Sequence, residues 1–318
     1  MKRNKAIAVI RKQGIVFAVI LIYLVFSIVS QQFRTMTNFL LILRQITTIG
    51  VMAAGMTFVI VGGNFDVSVG SLLSLCGVVC IMIHESLGAV PAIVFTIALG
   101  MFSGLINGIL VGYLKLNSMI VTLGMMNILQ AVSLIITKGR NVYMADERVW
   151  FTRIGRGDVG IMPISTIIML AFFVIMAVVL FRSKYGHHVL SVGGNAKACH
   201  FSGINERMII MKTFILSGLS TGIAAIMLAS RGGSAQPTMG ESYEFDVITA
   251  VILGGASLDG GEGNILYTLA GVCILGILKN GFVIIGLPSY IQWLAQCLIM
   301  IGAVYLDIYS KRKRGGCS

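Results

Sequence analysis

Charged residues are scarce in this sequence of 318 residues. They make up 11% of it, hydrophobic residues make up 57%, and the mean hydropathy is +0.93. Soluble domains carry about 25% charged residues and less than half apolar ones. A soluble fold of this size could not cover so much apolar surface with so few charges. The composition therefore excludes a soluble domain and predicts an integral membrane protein.

Sequence motifs of enzymatic chemistry are missing as well. The chain has no G-x-x-x-x-G-K-[ST] phosphate loop and no H-E-x-x-H. Its six cysteines form no Cys-x-x-Cys pair and show no metal-like spacing. His187 and His188 lie in a basic segment without nearby carboxylates. We therefore expect no catalytic residue, no metal site and no cofactor bound by this chain.

What the sequence does contain is a series of long apolar runs that are nearly free of charge. They are apolar on every face, unlike the alternating strands of membrane barrels, and about 20 such residues let a helix cross about 30 Å of hydrocarbon. The 38 glycines are typical of closely packed membrane helices. We predict an all-α polytopic protein with ten spans, five in each half: residues 14–30, 39–61, 67–86, 88–110, 118–137, 163–181, 211–230, 246–258, 265–285 and 288–308. The span at 246–258 is short and could be re-entrant, and eight spans are the alternative.

The net charge of +12 indicates membrane topology rather than a nucleic-acid partner. Three segments hold 14 of the 24 Lys and Arg residues: residues 1–13, the central loop 182–212 and the tail 309–318. Basic segments next to spans stay in the cytoplasm, so we expect all three there, with both termini cytoplasmic. The loop 138–162 falls outside on this scheme although it carries five basic residues.

The two halves of the chain contain similar short segments in the same order. Phe65-Asp66-Val67 opens one predicted span, and Phe245-Asp246-Val247 opens another 180 residues later. Asn107-Gly108 and Asn280-Gly281 follow in the same order. With five spans in each half, the repeats have inverted topology, a design in which the transport path lies near the interface of the halves and is formed by interrupted helices. We therefore expect the function to be the passage of a solute across the membrane.

Polar residues inside or beside the spans are the candidates for lining that path. A carboxylate near the centre of the hydrocarbon costs about 2.5–3.5 kcal/mol on insertion scales, so Asp66 and Asp246 should face protein or water. Each precedes a predicted helix, where capping the helix N-terminus is the alternative to contact with a substrate. The predicted path-lining residues are Asp66, Asn107, Glu244, Asp246 and Asn280.

Residues 63–71 read Gly-Asn-Phe-Asp-Val-Ser-Val-Gly-Ser. This segment resembles the Gly-Gly-Ile-Asp-Leu-Ser-Val-Gly-Ser motif of ribose-type bacterial sugar permeases, which are membrane subunits of ATP-binding-cassette (ABC) importers and belong with the branched-chain amino-acid permeases. Further matches cover roughly residues 45 to 308 and lie at 131–140, 192–195, 202–205, 216–219, 229–231, 233–237 and 254–258. Asn64 departs from the family, which usually has a second glycine there, and so do Ala196 and Cys199.

The resemblance implies an importer subunit that binds no ATP itself. It implies one permease domain over residues 1–318 in the bacterial inner membrane, a second permease subunit that is identical or homologous, an ATPase that carries ATP and Mg, and a soluble sugar-binding protein outside. The cargo would be a pentose, a hexose or a related sugar. The alternative is a secondary transporter in which Asp66 and Asp246 are proton or sodium sites.

The resemblance also assigns the basic loop 182–212 as the segment that couples the permease to the ATPase. The loop is long enough for two short helices, and either Asn195 or Ser202 could cap one of them. The residues that the resemblance places in the coupling segment are Gly194, Asn195, Ala198, Ser202 and Gly203.

Overall fold

The computed structural model describes residues 2–146 and 150–315, and the side chains of residues 14–146 and 150–305. Within these ranges the chain is built from helices and two very short sheets. The α-helices are α1 (Lys2–Val29), α2 (Met36–Val61), α3 (Val69–Leu87), α4 (Ala89–Gly112), α5 (Ser118–Thr137), α6 (Arg153–Arg156), α7 (Ile164–Arg182), α8 (Lys184–Phe201), α9 (Glu206–Gly232), α10 (Tyr243–Leu253), α11 (Ile265–Ile284) and α12 (Ser289–Gly315). Two 3₁₀ helices cover Gln32–Arg34 and Trp150–Thr152. Antiparallel pairs join β1 (Val142–Tyr143) to β4 (Ser234–Ala235) and β2 (Asp158–Val159) to β3 (Met162–Pro163).

Each of the ten predicted spans corresponds to a helix. The agreement is closest for residues 118–137, which are α5 itself, whereas α9 begins at Glu206 instead of residue 211. Among the described residues, seven helices are long and apolar enough to cross a membrane: α2, α3, α4, α5, α7, α9 and α11. Shorter apolar stretches lie in α1 (Gly14–Val29) and α12 (Ser289–Tyr305). The all-α polytopic architecture is confirmed.

The short element that the sequence indicated is α10. It has 11 residues, and at 1.5 Å per residue it is about 16 Å long, roughly half of the hydrocarbon thickness. It ends before residue 258, because Gly254 closes the helix and Gly255 follows with a φ of 79°. Non-helical segments therefore extend it at both ends, residues 233–242 before it and 254–264 after it.

A seam of glycines holds α4 against α9. Gly100, Gly104, Gly108 and Gly112 recur every fourth residue along one face of α4. A Cβ at Gly100 would overlap the carbonyl oxygen of Gly218, and one at Gly108 would lie 2.8 Å from the Cα of Met211. The two backbones are therefore in direct contact, which is the arrangement that small residues permit in membranes. This seam fixes α9 as the helix around which α2, α3 and α4 pack.

Two basic residues inside predicted spans, Arg44 and Lys279, both meet carboxylates. The Arg44 guanidinium lies 2.5 Å from Asp158 Oδ1, and Lys279 forms an ion pair with Asp246. Asp158 belongs to the connection between α5 and α7, which thus folds back onto α2. Pairing lowers the cost of a charge in an apolar region, which explains how these spans accommodate basic residues.

Candidate translocation site and coupling segment

Two interrupted helices meet inside the bundle. Residues 62–68 break the chain between α2 and α3, and residues 233–242 break it between α9 and α10. The second break runs along α3, where the Ser74 hydroxyl accepts a hydrogen bond of 2.8 Å from the Gly240 N–H. Asp66 lies in the first break and precedes α3, as predicted, whereas Asp246 lies within the first turn of α10 and not before it.

The first turns of α3 and α10 lie against each other at Gly70 and Glu244. A Cβ at Gly70 would overlap the Glu244 carboxylate and lie 2.6 Å from the carbonyl oxygen of Gly240. Glu244 is buried, with 6% of its surface exposed. The first turn of a helix has unpaired N–H groups and the positive end of the helix dipole, which stabilise a nearby carboxylate. This pair of helix N-termini is the arrangement that transporters use to hold polar groups inside a membrane.

Asp66 lies in a buried hydrogen-bond network that includes Asn107. Its Oδ1 accepts hydrogen bonds from the hydroxyl (2.6 Å) and the N–H (3.2 Å) of Ser68, and its Oδ2 accepts one of 3.0 Å from the Ser217 hydroxyl. The Asn107 amide donates to the Ser68 hydroxyl over 2.9 Å. Asp66 therefore faces protein, as the cost of burying a carboxylate requires, and its bond to the Ser68 N–H stabilises the turn that leads into α3.

Asp246 joins three helices. Its Oδ2 contacts the Lys279 ammonium of α11, and its Oδ1 accepts a hydrogen bond from the Gln296 amide of α12. The Asp246 side chain is 3% exposed, whereas that of Lys279 is 40% exposed. This carboxylate also faces protein, and it provides the polar link between α12 and the rest of the bundle.

Asn280 follows Lys279 in the chain but belongs to another contact. Its Oδ1 accepts a hydrogen bond of 3.0 Å from the Asn38 amide, which also donates to the carbonyl oxygen of Phe33. Of the five predicted path residues, the structure thus brings Asp66 and Asn107 into one network and places Asp246 with Lys279. Glu244 lies where the first turns of α3 and α10 meet, and Asn280 of α11 contacts Asn38 at the start of α2.

The residues predicted to couple the permease to an ATPase lie in and directly after α8, which contains the predicted pair of short helices. Asn195 has non-helical dihedral angles (φ −159°, ψ 91°) and separates the two helical stretches. Its Oδ1 accepts a hydrogen bond of 2.9 Å from the Ala198 N–H, so the predicted cap at Asn195 is confirmed. Ser202, the other candidate, lies at the C-terminal end of α8, where its hydroxyl donates to the Ala198 carbonyl over 3.0 Å. Gly203 then turns the chain with a φ of 79°.

Glycines seat α8 on the break between α2 and α3 and on the segment that follows α10, in a cluster that we call the glycine junction: Gly63, Gly193, Gly194, Gly260 and Gly261. The Gly261 N–H donates to the carbonyl oxygen of Val61 over 2.8 Å, at the end of α2. A Cβ at Gly193 would overlap that same oxygen and lie 2.6 Å from the Gly261 nitrogen. The backbone of α8 is therefore in direct contact with the end of α2 and with the segment that follows α10.

The sequence did not identify several residues that take part in these sites. Ser68 and Ser217 complete the Asp66 network, and Gln296 completes the Asp246 cluster. Phe201, at the end of α8, is 89% exposed, and its position in a polar loop was a signal that could have identified it. Serines inside apolar runs give no comparable signal, because several others bond only to their own helix, such as Ser27, Ser220 and Ser230.

Comparison with known proteins agrees with this architecture. Residues 38–304 match the family described as the permease component of the branched-chain amino acid transport system. The chain is 38% identical to the ribose import permease protein of Bacillus subtilis over 307 residues, which are 96% of this chain and 95% of that protein. It is 37% identical to the ribose import permease protein of Escherichia coli K12 over 302 residues, 93% of each chain.

The L-arabinose ABC transporter permease protein of Azospirillum brasilense is 34% identical over 311 residues, which are 96% of this chain and 90% of that one. No solved structure matches the chain. The resemblance drawn from the motifs is thus confirmed over nearly the whole sequence. The chain is a multi-pass membrane protein that belongs to the permease-component family of the branched-chain amino acid transport system.

Proposed function

We propose that this chain is the transmembrane permease subunit of an ABC importer that moves a monosaccharide across the bacterial inner membrane. The relatives described above are import permeases for ribose and arabinose, which supports a pentose, a hexose or a related sugar as the cargo. The observation that carries the proposal is the direct seating of α8 on the break between α2 and α3 and on the segment that follows α10. An importer driven by a separate motor needs such a connection between the motor's docking segment and the path.

In this proposal the chain itself has no catalytic residue. Because the sequence has no phosphate loop, a partner ATPase holds ATP and Mg, and the permease binds no cofactor. The other partners are a soluble sugar-binding protein outside the membrane and a second permease subunit, identical or homologous. The lipid bilayer covers the exposed apolar faces, such as that of α4.

The basic segments 1–13, 182–212 and 309–318 face the cytoplasm in this proposal. The junction supports that orientation, since the end of α2, the segment after α10 and α8 meet on one side of the molecule. If α1 leaves the cytoplasm, α2 returns to it, and its last residue, Val61, should therefore lie beside α8.

The mechanism that we infer is alternating access driven from α8. Closure of the ATPase on nucleotide would shift α8, and the glycine junction would pass the shift to residues 62–68 and to α10. The helix junction at Gly70 and Glu244 would then change its packing, because packed interfaces switch between discrete arrangements. The residues proposed to line the path remain Asp66, Asn107, Glu244, Asp246 and Asn280. The coupling residues remain Gly194, Asn195, Ala198, Ser202 and Gly203.

Phe201 is the residue of α8 that we expect to anchor the ATPase. An aromatic side chain that is 89% exposed next to a basic aqueous segment is costly unless a partner covers it, and buried aromatic anchors dominate many interfaces. Replacement by alanine should lower the affinity of the permease for the ATPase by about 2 kcal/mol or more. Pull-down of the ATPase by tagged permease tests this, with Tyr113→Ala as the control at another exposed aromatic (41% exposed).

Reconstitution tests the proposed function. Permease and ATPase are placed in proteoliposomes with the binding protein, and uptake of radiolabelled ribose, arabinose, galactose and glucose is measured. We expect uptake only when ATPase and ATP are present. Uptake by the permease alone, driven by a proton or sodium gradient, would contradict the proposal and support a secondary transporter with Asp66 and Asp246 as ion sites.

A further inference from the structure

A cavity of about 160 Å³ opens between α10, α11 and α12. Its polar wall contains the Asp246–Lys279 ion pair together with the amides of Gln292 and Gln296. Trp293, which is 66% exposed, also lines the cavity, on the same helix as the two glutamines. The cavity thus combines a carboxylate, an ammonium, two amides and an aromatic face.

The charged groups of the cavity decide which surroundings it faces. Lys279 is 40% exposed while its partner Asp246 is 3% exposed, so the ion pair is open on one side. Ionisable groups at membrane depth face water or protein and not lipid. The surface that α11 and α12 form beside the Asp246–Lys279 ion pair therefore faces an aqueous space, or a partner that encloses one.

We propose that this cavity is a monosaccharide-binding site on the permease, with Asp246 as its central acceptor; the inference rests on the proposed function. A pyranose or furanose ring presents several hydroxyl groups on its edges and C–H groups on its faces. A carboxylate accepts two hydroxyl hydrogen bonds at once, and amides both donate and accept. The exposed Trp293 ring supplies the apolar surface on which the C–H face rests, as in other pockets that combine apolar walls with a few placed polar groups.

The ion pair positions this acceptor. Lys279 pairs with one carboxylate oxygen of Asp246 and the Gln296 amide donates to the other, so the two together orient the carboxylate. Charge-assisted hydrogen bonds are roughly twice as strong as neutral ones, so the carboxylate gives the site most of its affinity. A site on a transport path must also release its ligand, and the open side of the cavity permits that release.

The two tryptophans of the chain, Trp150 and Trp293, make the proposal testable by fluorine NMR. The permease is labelled with 5-fluorotryptophan and assembled with unlabelled ATPase in nanodiscs, and Trp293→Phe assigns the two signals. D-ribose, L-arabinose, D-galactose and D-glucose are titrated, with glycerol as the solvent control. We expect at least one aldose to shift the Trp293 signal saturably, while the Trp150 signal and the glycerol titration stay unchanged.

Substitutions then separate binding from folding. Asp246→Asn should weaken the saturable shift by about tenfold or more. Gln296→Leu leaves the ion pair in place and should weaken the shift less, whereas Gln32→Leu, at an exposed glutamine outside the cavity, should leave it unchanged. The inference is overturned if no aldose gives a saturable shift, or if Asp246→Asn and Gln296→Leu both bind as well as the unsubstituted chain. Uptake in proteoliposomes by the same complex reports separately on the proposed function.

Discussion

At the residue scale, substitutions of Asp66 measure how much its buried hydrogen-bond network contributes to the thermal stability of the permease. Its carboxylate accepts from Ser68 and Ser217, both fully buried. Asp66→Ala would leave those hydroxyl groups without this acceptor, and a buried polar group without a partner costs about 1–3 kcal/mol. We expect a lower melting temperature of the detergent-solubilised permease, measured by loss of its monodisperse peak after heating.

Asp66→Asn is the matched comparison, because it keeps the shape and one acceptor oxygen. That variant should lose less thermal stability than Asp66→Ala, and Ser217→Ala, which removes a single hydrogen bond from the network, should also lose less. Equal melting temperatures for Asp66→Ala and the unsubstituted chain would contradict the role that the network gives this carboxylate. Uptake by the Asn variant, divided by the amount of assembled complex, then reports on the proposed contact with the path.

Single residues were predictable where the chemistry forced them to be unusual. Asp66 and Asp246 are carboxylates beside apolar runs, and the cost of their burial predicted that they face protein or water; the structure shows that both face protein. Their partners were not predictable. Lys279 is 33 residues from Asp246 and Ser217 is 151 from Asp66, and nothing in one sequence pairs residues across helices at such separations.

At the scale of elements, the seam between α4 and α9 predicts that Gly→Ala substitutions differ strongly in their effect on stability, depending on where the glycine lies. A Cβ at Gly218 would overlap the carbonyl oxygen of Gly100, so Gly218→Ala must push the two helices apart. Overpacking of this kind typically costs about 1–3 kcal/mol. Gly124→Ala, in α5, meets no atom within 4 Å and should be neutral or slightly stabilising, since alanine favours helix over glycine.

The yield of monodisperse protein and the melting temperature of the two variants check this. Gly218→Ala should reduce both and Gly124→Ala should reduce neither. A Gly218→Ala protein as stable as the Gly124→Ala protein would mean that α4 and α9 are not in backbone contact.

Helix positions followed from the sequence, but helix packing did not. Apolar runs set the bounds of α5 and placed the other spans within a few residues, because length and apolarity are what the bilayer requires. Yet the apolar window of α2 is 67% buried and that of α4 only 28%, although both are strongly apolar. Lipid tails are as apolar as a neighbouring helix, so composition does not indicate which face packs. The four-residue glycine spacing of α4 was the available signal.

At the scale of the whole molecule, the question is how a movement of α8, caused by the proposed ATPase, would change the packing of the helices that are proposed to line the transport path. Phe201 extends from one end of α8 into the surroundings, and Gly193 rests on the end of α2 and on Gly261. Phe201 is the proposed contact with the ATPase, and Gly193 is the contact with the interrupted helices. A change that disturbs only the second should separate ATP hydrolysis from uptake.

Two neighbouring glycines of α8 provide that test. A Cβ at Gly193 would overlap the carbonyl oxygen of Val61, whereas one at Gly194 would lie 3.9 Å from the Cα of Gly261, an ordinary contact. Gly193→Ala should therefore lift α8 off the glycine junction while the Phe201 end remains available to the ATPase. We expect its complex to assemble and hydrolyse ATP but to take up at least tenfold less sugar per ATP, a loss that corresponds to about 1.4 kcal/mol of coupling. Gly194 is one of the proposed ATPase-coupling residues, so Gly194→Ala can change how much complex assembles, but it adds no overlap at the junction and should keep the sugar-to-ATP ratio of the assembled complex. Because the two substitutions are chemically identical and adjacent, equal ratios would show that force does not pass through Gly193, and the proposed connection between motor and path would have to lie elsewhere.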